Sequence, residues 1–162
     1  VSGLLDPPLH DLAQQHVRGA RAGRREAVQV DPLLARPRVE RACEQLIERR
    51  PDLRLLSAAD GSLGIEAARA HRPDVILMDI HLPGISGVEA MKVLRADPAT
   101  AHIPIIALSA NAVPRDIAAG LEAGFFCYLT KPIKVSLFTE ALDAALKSSD
   151  TEPGLPAQKE IP

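Results

Sequence analysis

The sequence predicts an α/β fold, a parallel β-sheet wound with helices on both faces. Two observations carry this. Short apolar runs, Val75–Met78 and Ile103–Leu108, read as strands buried on both sides, as inside a parallel sheet. Strand-like and helix-like segments also alternate five times, which is the pattern of repeated βα units. A third feature concerns chemistry: both runs end on a reactive group, Asp79 and Ser109, at the sheet edge where ligands of open α/β sheets bind.

The elements follow in order. Glu26–Pro32 reads as the first strand, with Val28 and Val30 alternating and Asp31-Pro32 closing it. Val39–Arg50 has helical periodicity, with Ala42, Cys43, Leu46 and Ile47 on one face, and Pro51 stops it. Leu53–Ala58 is a second strand, Asp60-Gly61 a turn, and Leu63–Ala70 a second helix ended ahead of Pro73. Asp74–Asp79 is the third strand, broken by Pro83-Gly84. Ser86, with Glu89 three residues on, forms a capping box for a helix to about Arg95, whose inner face reads as Val88, Met91, Val93 and Leu94. Ile103–Ser109 is the fourth strand and Pro114–Ala123 the next helix, with Gly124 at its end. Phe125–Leu129 is the fifth strand, and Val135–Lys147 the last helix. Right-handed crossovers leave few topologies, and the preferred one is the flavodoxin-like doubly wound five-stranded sheet of order 2-1-3-4-5.

Residues 1–25 read as a flexible leader or linker, 26–147 as the folded domain and 148–162 as a disordered tail. The basic cluster Arg18–Arg25 is expected to be a solvated linker. A net charge of −2 gives no electrostatic case for nucleic acid. No apolar run has the length of a membrane span and no signal peptide is evident, so no membrane partner is expected. Cys43 and Cys127 have no metal spacing and read as reduced thiols, which suits the cytoplasm. Hydrophobic residues make up 46% and aromatics 2%, so the core must be aliphatic.

Asp79, Ser109 and Lys131, the last just past the fifth strand, are brought side by side by a parallel sheet. A carboxylate, a hydroxyl and an ammonium can receive a phosphoryl group: the carboxylate is the nucleophile, and the other two bind the oxygens of the group transferred. A divalent ion held by oxygens would offset the charge.

Three motifs, Asp79-Ile80-His81-Leu82-Pro83-Gly84-Ile85-Ser86-Gly87, Ile105-Ile106-Ala107-Leu108-Ser109-Ala110-Asn111-Ala112 and Tyr128-Leu129-Thr130-Lys131-Pro132, carry a resemblance. Over roughly Leu46 to Lys147 the chain resembles the response regulator receiver domain of two-component systems, in particular the receivers of hybrid histidine kinases. The resemblance implies that Asp79 is phosphorylated by a histidine kinase or phosphotransfer domain. It implies that Ser109 is the switch hydroxyl, that Lys131 pairs with the phosphoryl group through a chain that continues by a cis bond to Pro132, and that Tyr128 is the switch aromatic. Ala110 is small for access. Mg2+ is implied as cofactor, bound by Asp79, the backbone carbonyl of His81 and an acid pair at the end of strand one.

That pair is the departure. Counting back by the family's spacing from Asp79 lands on Leu34 and Ala35, and Asp31 serves only if the following loop is several residues longer than usual. The alternative function is therefore a pseudo-receiver, a protein-interaction module independent of phosphorylation. Neither reading is an enzyme. An aspartate-nucleophile phosphatase would carry a second acid two residues after Asp79, where His81 stands. The apolar Phe126-Cys127-Tyr128 on an edge strand suggests a homodimer through the face formed by Pro114–Lys147.

Overall fold

The structure, a computed structural model, describes residues 24–31 and 42–150. Its strands are β1 (Arg25–Val30), β2 (Leu53–Ala58), β3 (Val75–Asp79), β4 (Ile105–Ser109) and β5 (Cys127–Thr130). Its helices are α1 (Ala42–Glu48), α2 (Gly61–His71), α3 (Gly87–Ala96), α4 (Pro114–Ala123) and α5 (Val135–Asp150). The five strands form one sheet, all neighbours parallel, in the order β2-β1-β3-β4-β5. This is the expected topology.

Side-chain alternation along the strands builds two cores. Ala27, Leu77, Ile106, Leu108, Cys127 and Leu129 pack with Cys43 and Ile47 of α1 and with Phe138, Ala141, Leu142 and Ala145 of α5. Val28, Val30, Ile76, Met78, Ile105 and Ala107 face the other way, onto Ile65 and Ala68 of α2 and Ala90, Met91 and Leu94 of α3. β3 and β4 are buried over their whole lengths, which is why they read as unbroken apolar runs. Each such aliphatic side chain contributes roughly 1.5–3 kcal/mol relative to exposure.

Local signals hold where a side chain closes a helix. Ser86 Oγ accepts the Glu89 N–H at 3.2 Å and Glu89 returns to the Ser86 N–H at 2.8 Å, the expected capping box. Asp60 caps α2 through the Leu63 N–H at 2.8 Å, so the turn expected at Asp60-Gly61 is the helix start itself.

Three expectations are corrected. Val93 is 39% exposed, because Ala90, Met91 and Leu94 set the buried stripe of α3 and position 93 falls outside it. The last helix does not stop at Lys147 but runs to Asp150. There the hydroxyls of Ser148 and Ser149 donate to the carbonyls of Ala145 and Leu146, and Arg25 pairs with Asp150 at 2.5 Å. Phe126-Cys127-Tyr128 is not an open apolar edge: Phe126 packs on the α1/α5 side, Cys127 is 5% exposed, and Tyr128 packs on the opposite side. The expected leader to residue 23, the residues 32–41 and the tail from 151 lie outside the described residues. None of the described helices is long and apolar enough to cross a membrane.

Burial pushes both thiols, Cys43 and Cys127, from the ordinary 9.0 up to about 12. The unfolded chain loses these protons above about 9 while the fold retains them, so stability is undiminished below that pH and falls as pH rises toward 12. Native protein at pH 8 is expected to react slowly with a thiol reagent at both cysteines, and both are expected to react at once on unfolding. A chromogenic thiol titration with and without denaturant, together with urea melts across the alkaline range, checks this.

Candidate functional site

The site forms where β1, β3 and β4 end and the chain leaves β5. Asp79 is the last residue of β3 and only 1% exposed. Its Oδ2 lies 2.7 Å from Lys131 Nζ, and its Oδ1 accepts the backbone N–H of His81 at 2.7 Å. One oxygen is thus held by a charge and the other by the loop that follows. Lys131 is itself placed by its backbone: its N–H donates to the Ser109 carbonyl at 2.7 Å, and the Lys131–Pro132 peptide is cis, as expected.

Ser109 is fully buried at the end of β4, and its Oγ accepts the Asn111 N–H at 3.0 Å. Asn111 continues the tie. Its Oδ1 accepts the Val113 N–H at 3.1 Å, and its Nδ2 donates to Asp116 Oδ2 at 2.6 Å in the first turn of α4. Ala110 is exposed beside Ser109. The register Ala107↔Tyr128 and Ser109↔Thr130 puts Ser109 and Tyr128 on one face of neighbouring strands. Tyr128 is half-buried there against α4.

The β1–β3 register fixes the level at which Asp31 lies. β1 ends at Val30, and Val30 pairs with Met78, so the next step of the register sets Asp31 level with Asp79. Ala27 and Leu77 share the α1/α5 side, and two-residue alternation puts Asp31 and Asp79 on that side too. Neighbouring strands run about 4.8 Å apart. Asp31 is 7% exposed, and its N–H donates to the Ala58 carbonyl at 3.0 Å. Cys43 reports the same clustering: after burial, the next influences on its thiol are Lys131, which pulls it down, and Asp31, which pushes it up. Among the described residues Asp31 is the acid at the end of strand one, while Leu34 and Ala35, where the family's spacing pointed, lie outside the described residues.

A hard divalent cation fits this donor set. Asp31 and Asp79 are two nearly buried carboxylates at adjacent strand ends, and Lys131 pairs with Asp79. Among the described residues no group of three or more His, Cys, Asp or Glu forms a metal cage. Two carboxylates, completed by water and phosphate oxygens, are what Mg2+ takes, whereas zinc would ask for more protein ligands.

Sequence reasoning missed the part played by Gly87. This first residue of α3 donates its N–H to the Ile80 carbonyl at 3.0 Å. A Cβ there would run into the carbonyl oxygen of Asp79 and stand 2.9 Å from Ile80 Cα. The glycine lets α3 press against the backbone that carries Asp79; the sequence showed it only as the end of the Asp79–Gly87 motif and the residue after the Ser86 cap.

Comparisons with known proteins bear on the family and the fold. A family profile described as the response regulator receiver domain matches residues 36–143, a span that begins after β1. The chain is 42% identical over 87 residues to the polar-differentiation response regulator DivK of Brucella anthropi, covering 54% of this chain and 71% of the relative. It is 38% identical over 109 residues to the transcriptional regulatory protein CseB of Streptomyces avermitilis, covering 67% and 45%. It is 38% identical over 94 residues to the DNA-binding response regulator MtrA of Mycobacterium tuberculosis, covering 58% of this chain and 40% of that one. The chain thus spans well under two thirds of the MtrA and CseB proteins it matches. Among solved structures, it is 32% identical, with TM-score 0.64, to the receiver domain of the sensor histidine kinase PA1611 of Pseudomonas aeruginosa, covering 80% of this chain and all of that one. That structure is described with a magnesium ion coordinated in its active site cleft. A response regulator structure from Chloroflexus aurantiacus matches at 27% identity and TM-score 0.69, covering 76% and 98%.

Gly87→Ala is expected to destabilise the protein by about 1–3 kcal/mol, the usual range for forcing a methyl into a packed site, although alanine is the better helix former. Urea denaturation of the variant against the parent measures it.

Proposed function

The chain belongs to the response regulator receiver family, and from that premise we propose that it is a phosphoacceptor of two-component signalling whose acceptor is Asp79. The observation that carries the reading is the Asp79 carboxylate fixed on one oxygen by Lys131 at 2.7 Å and on the other by the His81 N–H, with Asp31 at the same level. A carboxylate so held is oriented for in-line attack and needs little reorganisation.

In the proposed step a carboxylate oxygen of Asp79 attacks the phosphorus of a phosphohistidine on a histidine kinase or phosphotransfer partner. A P–O bond forms, the P–N bond breaks, and the imidazole leaves with a proton from solvent. The Lys131 ammonium stays within reach of the new phosphoryl oxygens, and the Ser109 hydroxyl turns from Asn111 toward them. Turning releases the Asn111 N–H and with it the first turn of α4. Mg2+ held by Asp31, Asp79 and the His81 carbonyl would neutralise the oxygens in transit. Ala110 leaves the approach open. Tyr128, on the same face as Ser109, is the aromatic expected to follow the hydroxyl.

The burial of Asp31 level with Asp79 favours this reading over the pseudo-receiver, whose motive was a missing acid at strand one. Incubation with acetyl phosphate and Mg2+ is expected to add the mass of one phosphoryl group to the intact protein, and Asp79→Asn is expected to remain unmodified. Loss of even an outer-shell partner typically lowers metal affinity 10–100-fold, so Asp31→Ala is expected to raise the Mg2+ requirement by roughly tenfold or more. Parent protein that gains no mass under donor excess would return the chain to the interaction-module reading.

A further inference from the structure

α4 is held unlike the other helices. Its one buried residue among those described is Gly120. A Cβ at that position would stand 3.0 Å from both Cδ2 and Cε2 of Tyr128 and 3.6 Å from Cδ2 of Phe125. Carbon atoms in ordinary contact sit about 3.5–4.0 Å apart, so a methyl at this position would press on the Tyr128 ring unless ring or helix gave by a few tenths of an ångström. Gly120 has an ordinary right-handed backbone; the positive-φ glycines are Gly84 and Gly124. Conformational freedom therefore does not account for it, and glycine inside a helix is the poorer helix former. Space for the ring does account for it.

The two ends of α4 are tied to different things. At its C-terminal end Arg95 of α3 donates to the Gly124 carbonyl from Nε at 3.1 Å and Nη2 at 2.8 Å, while Nη1 reaches the carbonyls of Ala101 and Ile103. At its N-terminal end the helix hangs, through Asn111 and Asp116, from the hydroxyl of Ser109. The middle rests on Tyr128.

We propose that Gly120 is a positioning residue for Tyr128: it seats the resting ring against α4, so that ring and helix change position together when the site changes state. The seat stands on geometry alone. Its regulatory meaning rests on the phosphoacceptor reading.

Tyr128 is the single tyrosine of the chain, which has no tryptophan, so tyrosine emission reports this ring alone. Without phosphodonor, Gly120→Ala in the full chain is expected to change the emission and its quenching by acrylamide. It is expected to lower the melting temperature when Tyr128 is present and to raise it in a Tyr128→Ala background, where the methyl meets no ring. Unchanged emission, with an equal rise in melting temperature in both backgrounds, overturns the seat. Should Gly120→Ala fail to fold, recovery in the double variant carries the same conclusion and its failure refutes it. With acetyl phosphate and Mg2+, the parent's emission is expected to shift as the phosphorylated mass appears, and Gly120→Ala is expected to lose that shift while still gaining the mass. A variant that keeps the full shift overturns the coupling. A parent that gains no mass overturns the phosphoacceptor reading, and the donor-free comparison still decides the seat.

Discussion

The ion pair between Lys131 Nζ and Asp79 Oδ2 is the interaction on which the site depends. Asp79 is 1% exposed, and burying a charged group is costly unless it is paired and hydrogen-bonded. Removing one member of a buried pair typically costs roughly 3–5 kcal/mol, far more than an exposed pair contributes. The pair spans β4 to join the ends of β3 and β5, so it exists only if those strands keep their order and register. The backbone bond from Lys131 to the Ser109 carbonyl fixes the lysine against the middle strand. A phosphoryl group on Asp79 would offer the same ammonium new oxygens, and the further negative charge it brings is what a divalent cation would offset.

The helices around the sheet are unequally anchored, and that inequality has a direction. α2, α3 and α5 each bury a stripe of several residues in one of the two cores. α4 buries Gly120 and is otherwise held by polar ties at its ends. Apolar burial is the main cost of moving an element, and α4 has the least of it to lose. It is also the helix linked to Ser109 through hydrogen bonds and to Tyr128 through packing. The element cheapest to displace is thus wired to the strand ends where Asp79 sits.

Much of this was legible in the sequence, for identifiable reasons. β3 and β4 are buried on both faces, so no polar residue interrupts their apolar runs, and the groups that end them were visible as Asp79 and Ser109. Ser86 and Glu89 announce α3 because capping is local chemistry. What the sequence hid depends on distant partners. Val93 looks like core until Met91 and Leu94 fix the rotation of α3. Ser148–Asp150 looks like tail until Arg25 reaches Asp150 from the start of β1. Gly87 and Gly120 have no side chain to signal anything, and their roles appear only when Asp79 and Tyr128 are found against them. Asp31 was visible as a candidate ligand, but its place level with Asp79 was not. Counting assumes a fixed loop after strand one, whereas the β1–β3 register places the acid regardless of loop length.

Asp31 also alters the electrostatics on which a phosphoacceptor would run. The residue after it is Pro32, so strand one brings one carboxylate where the family brings two. Asp31, Asp79 and Lys131 then sum to a single negative charge, which attracts a divalent cation less than a three-acid site would and repels an incoming phosphoryl group less. Mg2+ is commonly bound by one or two carboxylates together with phosphate oxygens. In this site a larger share of its attraction must come from those oxygens. For a chain that accepts phosphate, cation and donor would then bind with positive coupling, and by linkage the coupling would be reciprocal: each would raise the other's affinity by the same factor. With one acid in place of two, a cation at such a site would depend on the arrival of the phosphoryl group more than it would prepare for it.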